Sequence, residues 1–149
     1  MKYGYGFAGR ALMERLLYVS ESKIKKADFE TVVAGIVAKS VDWNTEHNLT
    51  GALIFTGTHF AQVLEGSQKD IDEVMSIITS DPRHGSIRVV DRSSITERQF
   101  PNWAMAYQGP SQFVSRHVTR LLNATSGLEK RRATDWLIQL AHEFVIYKG

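Results

Sequence analysis

The chain contains no cysteine among its 149 residues. This absence excludes disulfide bonds, thiolate nucleophiles, zinc–thiolate sites and covalent cysteine–flavin adducts. The sequence also lacks an apolar run approaching the roughly 20 residues of a membrane span, and it has no signal-peptide pattern. We therefore expect a cytoplasmic protein without a membrane partner.

A strong charge imbalance is missing as well, since the formal net charge is only +2. That value is too small to indicate a nucleic-acid partner or an anionic membrane surface. The five histidines show no HxH, HxxxH or HxxEH spacing, so no metal site is expected. Apolar residues (43%) and charged residues (23%) are present in ordinary proportions. The composition predicts one soluble globular domain with a good core.

The most informative stretch is residues 49–66, LTGALIFTGTHFAQVLEG. Its alternation predicts two strands joined by a tight turn at Gly57. Phe60, Gln62 and Leu64 share one face of the second strand. That face is apolar except for the Gln62 amide, which would cost about 1–3 kcal/mol if it were buried without a partner. We expect Gln62 to be hydrogen-bonded to a specific group.

The order of the remaining elements predicts the fold class. Amphipathic helices begin after Asp28 and after Ser67, the second with Asp70 in a capping-box position. Three further strands are predicted at 15–20, 87–90 and 102–107, with a polar connection at 91–101. The resulting order is β-α-β-β-α-β with a fifth strand, an α+β class similar to the ferredoxin-like arrangement, with two helices on one face of the sheet.

The chain is expected to divide into three parts. Residues 1–14 show no sustained period and form an N-terminal extension, with Met13 as an alternative start. Residues 15–108 form the main domain. Residues 109–149 contain two amphipathic helices, which must pack on the sheet or on another subunit because such helices are unstable alone.

Polar side chains on otherwise apolar faces indicate a ligand site. Tyr18 and Ser20 share a face of the first strand, and Asn44 lies at the end of the first helix. If these faces turn toward the helices, a phenol and two amides gather with Gln62 in a largely apolar pocket. Such a pocket suits a flat ligand with a polar edge. Each residue alone also has an ordinary structural explanation, so the hypothesis depends on their combination.

Five motifs in order resemble those of the BLUF family, blue-light sensors that use a flavin. The resemblance covers about residues 15–107, and its most specific element is F-x-Q-x-L-E-G. The matching residues are Leu16-Tyr18-Ser20, Asn44 with Leu49-Thr50-Gly51, Phe60-Gln62-Leu64-Glu65-Gly66, Asp81-Arg83-His84, and Arg98-Phe100-Trp103-Met105.

The resemblance implies a flavin, FAD or alternatively FMN, between the two helices with its ring edge toward the sheet. It implies that Gln62 lies next to flavin N5 and the C4 carbonyl, and that Tyr18 is the light-driven electron and proton donor. Asn44 would bond the C4 carbonyl and N3 edge, and Ser20 would donate within the same network. Trp103 and Met105 would lie in or near the pocket and relay the change. The remaining implied neighbours are Ile36 and Val37 at the ring and Arg83 or His84 at the tail.

The resemblance is to the short class of the family, in which two C-terminal helices pack under the sheet. It implies a photosensor without catalytic turnover, which signals by protein–protein contact and forms homo-oligomers. Two alternatives share the topology: a small acylphosphatase-like hydrolase and a ligand-binding regulatory module without photoactivity. The hydrolase would need an arginine–asparagine pair around a phosphate loop, and no glycine-rich loop opens the first helix.

Overall fold

The computed structural model describes residues 13–102, 104–108 and 112–146. Trp103 and residues 1–12 of the expected extension lie outside the described residues. The strands are β1 (Met13–Ser22), β2 (Thr50–Phe55), β3 (His59–Ser67), β4 (His84–Ser94) and β5 (Ala104–Gln108). The helices are α1 (Phe29–Glu46), α2 (Gln68–Thr79), α3 (Gln112–Asn123) and α4 (Gly127–Ile146).

The five strands form one sheet in the order β4-β1-β3-β2-β5. The pairs β4–β1, β1–β3 and β3–β2 are antiparallel, and β5 runs parallel to β2. This arrangement confirms the predicted α+β, ferredoxin-like class. Strand β3 carries Gln62 and lies at the centre of the sheet, where it is paired on both sides.

Strands β1 and β4 are longer than their apolar residues predict. They stay paired as far as Glu14 and Ser94, so the polar segment after residue 90 is partly strand. Because β4 lies at the edge of the sheet, much of it faces solvent, and alternation of apolar residues gives a weak signal there.

The β2–β3 hairpin forms as predicted. Gly57 has φ 97°, a left-handed conformation that favours glycine in a tight turn. Gly51 serves close packing within the hairpin, because a Cβ there would lie 1.8 Å from the carbonyl oxygen of Val63. At the end of β3, the Ser67 hydroxyl accepts a hydrogen bond from the Asp70 amide and caps α2, as the capping-box pattern predicts.

Helices cover both faces of the sheet. Helices α3 and α4 pack on one face, against a core that includes Leu17, Val19, Ile54 and Val63. On the opposite face, the helices α1 and α2 belong to two separate apolar clusters. Leu16, Tyr18, Leu49, Leu64, Ile71 and Val74 form the α2 cluster, and Val33, Leu53, Phe55 and Phe60 form the α1 cluster.

The separation of these two clusters leaves a space between α1 and α2, above the middle of the sheet. Among the described residues, no helix has the length and apolar character needed to cross a membrane.

Candidate functional site

A cavity of about 830 Å³ lies between α1 and α2 and is floored by the central strands. Most of its surface is apolar, with polar side chains contributed by both the sheet and the helices. Its lining residues are Tyr18, Ile36, Lys39, Ser40, Trp43, Asn44, Leu53, Phe60, Gln62, Val74, Ser76, Ile77, Ile78, Ser80, Asp81, Pro82, Arg83 and His84.

Tyr18 and Gln62 are directly paired across β1 and β3, and Leu53 is paired with Gln62 from β2. Both polar side chains are almost fully buried, at 3% and 4% exposure. The Tyr18 hydroxyl donates a hydrogen bond to Gln62 Oε1. With Oε1 accepting from the phenol, the hydrogens on Nε2 are the donors that the Gln62 side chain can offer to another group.

The environment of Tyr18 keeps its phenol protonated. Burial raises the pKa of Tyr18 well above its usual value, and the negative charge of Asp81 raises it further. A buried phenolate would lose its hydration, so the neutral form is favoured in the folded protein. Tyr18 can therefore serve as a hydrogen-bond donor at all physiological pH values.

The raised pKa of Tyr18 makes stability fall at alkaline pH. At pH values below the ordinary pKa of 10.0, Tyr18 is protonated in both the folded and the unfolded chain, so it does not change the free energy of unfolding. Above that pH the unfolded chain loses the proton and the folded chain keeps it, so the free energy of unfolding drops by about 1.4 kcal/mol per pH unit. Urea denaturation at about pH 8 and about pH 11 should show a smaller loss for Tyr18→Phe than for wild type. Equal losses would contradict the raised pKa, since the other four tyrosines are common to both proteins.

His84 joins β1 to the end of α2. Its Nε2 lies 2.7 Å from the Ile78 carbonyl oxygen, which can only accept, so Nε2 carries a hydrogen. Its Nδ1 lies 2.7 Å from Ser20 Oγ. In the neutral ring Nδ1 is the acceptor, and the Ser20 hydroxyl then donates to it. The Ser20 hydroxyl is therefore bonded to His84. The His84 ring lies edge-on to the Tyr18 ring, with 6.2 Å between the ring centroids.

Asn44 is 1% exposed and borders the cavity from α1. Its backbone carbonyl accepts a hydrogen bond from the Leu49 amide at 2.8 Å, which holds the end of α1 against the start of β2. Its Oδ1 atom is buried and has no hydrogen-bond partner among the residues that the structure describes. An acceptor in that state is costly unless a ligand supplies the donor.

Arg83 lies at the other side of the cavity, in the turn that follows α2. Its guanidinium binds the Asp81 carboxylate through Nε at 2.9 Å and through Nη2. That hydrogen bond lowers the pKa of Asp81 and raises the pKa of Arg83. Both side chains remain partly exposed, so the guanidinium can still meet an anionic group at the cavity.

The other predicted site residues differ in position. Ile36 borders the cavity, whereas Val37 packs against the cluster of Leu53, Phe55 and Phe60 below α1. Trp103 lies outside the described residues. The backbone of Met105 is in β5 and pairs with Leu53, and its side chain is outside the described part of the structure.

Sequence reasoning missed several cavity residues on the helices. Lys39, Ser40 and Trp43 follow Ile36 at positions i+3, i+4 and i+7 of α1, the spacing of one helix face. The signal was therefore present, but Lys39 and Ser40 are polar and do not extend the apolar stripe that marks the buried face of α1. Ser76 on α2 and Ser80 directly after the end of α2 also border the cavity.

These residues fit a flavin. Apolar side chains from α1, α2 and the sheet can enclose a flat ring system, while Gln62 and the unpaired Asn44 oxygen can bond its polar edge. An imide edge offers both an N–H donor and carbonyl acceptors, which match an asparagine and a glutamine. Lys39 and Arg83 provide positive charge for a phosphate-bearing tail.

Comparisons with known proteins agree with this fit. The dark-state structure of BlrB, a BLUF protein, superposes with a TM-score of 0.71 at 26% identity, covering 90% of this chain and 98% of that one. The photo-activated state of BlsA has a TM-score of 0.68 at 24% identity, covering 85% and 94% of the two chains, and supports the fold.

Two relatives are light-regulated by name. The photoactivated adenylate cyclase subunit alpha of Euglena gracilis is 28% identical over 100 residues, which cover 67% of this chain and 10% of the subunit. The blue light- and temperature-regulated antirepressor BluF of Escherichia coli (strain K12) is 41% identical over 44 residues, covering 30% of this chain and 11% of that one.

The match therefore spans only about a tenth of the length of these relatives. The family model described as sensors of blue-light using FAD matches residues 13–106, which contain the cavity and all five strands except the last two residues of β5. The chain belongs to the BLUF family of blue-light sensors that use a flavin.

Proposed function

We propose that the hydrogen-bonded pair of Tyr18 and Gln62 is the light-driven switch of this photosensor. The observation that carries the proposal is the buried bond from the Tyr18 hydroxyl to Gln62 Oε1, in the floor of a cavity that fits a flavin. The flavin is held without a covalent bond, and the protein performs no catalytic turnover. Family membership favours this function over an acylphosphatase-like hydrolase or a module without photoactivity.

A bound flavin supplies a strong oxidant when it absorbs blue light. Tyr18 would supply the electron that this oxidant takes up, and its hydroxyl proton would pass to Gln62 Oε1, the atom that it already faces. Return of the electron and the proton restores the phenol, so nothing is consumed. Because the neutral phenol is strongly favoured in this buried position, the ground state is re-formed with its proton on Tyr18.

Gln62 can retain the change after Tyr18 has recovered. A primary amide has an acceptor on one side and donors on the other, so rotation or tautomerisation exchanges the groups that it presents to its neighbours. A new hydrogen bond from Gln62 toward the flavin's C4 carbonyl position would shift absorption to longer wavelength. The two arrangements are then two states of a switch.

The proposed cofactor is FAD, with FMN as the alternative. Asn44 would bond the imide edge of the ring, because its Oδ1 is buried without a partner among the described residues. Ile36 would contact the ring, and Arg83 with Lys39 would face the phosphate-bearing tail. Ser20 would act through His84, which it contacts directly. Trp103 and Met105 remain the proposed relay from β5.

We assign residues 15–108 to the light-sensing unit and residues 109–149 to a helical cap. The family match to residues 13–106 supports this division, as does the packing of α3 and α4 on the sheet face opposite the cavity. The proposed output is contact with a partner protein, transmitted through the sheet and these helices in a homo-oligomer. The names of two relatives, a photoactivated cyclase subunit and a blue light-regulated antirepressor, support an output that light controls.

Purified protein should be yellow, with a flavin absorption spectrum that moves to longer wavelength under blue light and recovers in the dark. Acid release and chromatography of the pigment should identify it as FAD. If the pigment is FMN, only the identity of the proposed cofactor changes. Protein purified without pigment is reconstituted with added flavin before the measurement. A preparation that then remains colourless would contradict the photoreceptor function.

A further inference from the structure

Glu65 is a fully buried carboxylate on β3, three residues after Gln62. Successive side chains of a strand alternate between its faces, so Gln62 faces the cavity and Glu65 faces the opposite side. The cavity and its switch do not use this charge. A carboxylate with 0% exposure is expensive unless it is well bonded, so its partners indicate what it holds in place.

Both oxygens of Glu65 accept hydrogen bonds from the backbone of the β4–β5 connection. The Gln99 amide donates to Oε2 at 2.7 Å, and the Phe100 amide donates to Oε1 at 2.9 Å. The Thr50 hydroxyl adds a longer bond to Oε1 at 3.3 Å. Arg98 reinforces the attachment, since its Nη1 donates to the backbone oxygen of Glu65 at 2.9 Å.

The same connection is attached to the C-terminal helix α4. His142 Nε2 lies 2.6 Å from the Gln99 carbonyl oxygen, to which it must donate. The Phe100 ring is 1% exposed, packs 5.3 Å from the His142 ring and belongs to the core that contains Leu137 and Ala141. A short chain of contacts therefore runs from β3 through residues 99–100 to α4.

We propose that Glu65 couples the rearrangement at Gln62 to α4, acting as a positioning residue for signal output. The inference rests on the proposed switch at Gln62. Because β3 is paired on both sides, a change in its backbone reaches side chains on both faces of the sheet. Glu65 then shifts the two amides that it holds, and Gln99 and Phe100 shift their contacts with His142. The switch and the helix are thereby coupled through one strand.

Glu65→Gln is a sharp test, because the two side chains are nearly the same size. Each Glu65 oxygen accepts from a backbone N–H, so either orientation of a glutamine amide places an NH₂ group against a donor. One of the two bonds must break. His142→Ala removes the two contacts that the proposal assigns to this residue, the hydrogen bond to Gln99 and the ring contact with Phe100, at an exposed side chain.

Arg88→Ala provides a matched control for His142→Ala. Arg88 also joins the sheet to the C-terminal helices by a side-chain bond to a backbone oxygen, from Nη1 to Leu122 at 2.9 Å. It starts from the edge strand β4 and ends on α3, so it bypasses residues 99–100. Its loss removes a comparable contact without interrupting the proposed coupling.

The measurement is amide hydrogen exchange over residues 137–142 of the flavin-loaded protein, in the dark and under blue light. Wild type and Arg88→Ala should show a light-dependent change in exchange, and Glu65→Gln and His142→Ala should lose it. All four proteins should keep the red shift, which reports on the switch independently of the coupling. A purely structural role for Glu65 would raise exchange equally in dark and light and leave the difference intact.

The proposal is overturned if wild-type α4 shows no light-dependent exchange while the red shift is normal, or if either His142→Ala or a folded Glu65→Gln retains the full difference. If Glu65→Gln does not fold, His142→Ala decides the matter alone. A wild-type protein that binds flavin but lacks the red shift would instead contradict the proposed function, so the two failures are distinguishable.

Discussion

Replacing Gln62 with leucine should abolish the light-induced red shift while leaving the flavin bound. Leucine matches glutamine in size and suits the apolar face shared with Phe60 and Leu64, so the fold should survive. What disappears is the amide that accepts from the Tyr18 hydroxyl and that can donate to a bound flavin. Loss of one hydrogen bond to the ligand costs about 0.5–1.5 kcal/mol, so flavin affinity should fall by about tenfold at most.

The measurement is the difference between absorption spectra taken before and after blue light, on protein with a determined flavin content. Gln68→Leu is the matched control, since Gln68 is an exposed residue at the start of α2. It should behave as wild type in both flavin content and red shift. A normal red shift in Gln62→Leu would exclude the amide from the switch.

Replacing Tyr18 with phenylalanine should abolish the normal photocycle. The substitution deletes only the hydroxyl, which is both the proposed proton donor and the partner of Gln62 Oε1. The ring remains to fill its place in the cluster of Leu16, Leu49 and Leu64. Phenylalanine cannot supply a proton and is much harder to oxidise than a phenol, so the excited cofactor should return to its ground state by emission instead.

Time-resolved absorption and flavin fluorescence test this expectation together. Fluorescence should rise severalfold in Tyr18→Phe, and the red-shifted species should not form. Tyr147→Phe, a change near the end of the chain outside the described residues, controls for loss of a phenol. An unaltered light response in Tyr18→Phe would contradict the assigned donor role.

The sequence was most informative where side-chain periodicity and burial agree. Alternation alone placed Gln62 on an apolar face, and the same rule placed Tyr18 and Ser20 together on β1. Strand pairing then brought Tyr18 opposite Gln62. The cap at Ser67 and the turn at Gly57 were predictable as well, because each depends on a local backbone requirement.

Other features depend on residues distant in sequence and leave no local pattern. Alternation places Glu65 with Ala61 and Val63 on a buried face, but its partners are the backbone amides of residues 99 and 100. Because almost every residue has a backbone amide, the sequence does not mark which ones will bind a buried carboxylate. The partner of Ser20 depends on the close approach of the end of α2 to β1. Side-chain chemistry predicted which groups would border the cavity better than it predicted which groups would bond to each other.

The parallel pairing of β2 with β5 has a consequence for the order of folding. It joins residues 52–55 to residues 104–108, whereas β2 and β3 are neighbours in sequence and close through one short turn. Bringing distant segments together costs more chain entropy, so the hairpin should form early and β5 late. A strand that is added last and pairs with β2 on one side can separate from the sheet without unfolding the rest of it. We therefore expect β5 and the helices that follow it to be the segment that detaches from the sheet most easily.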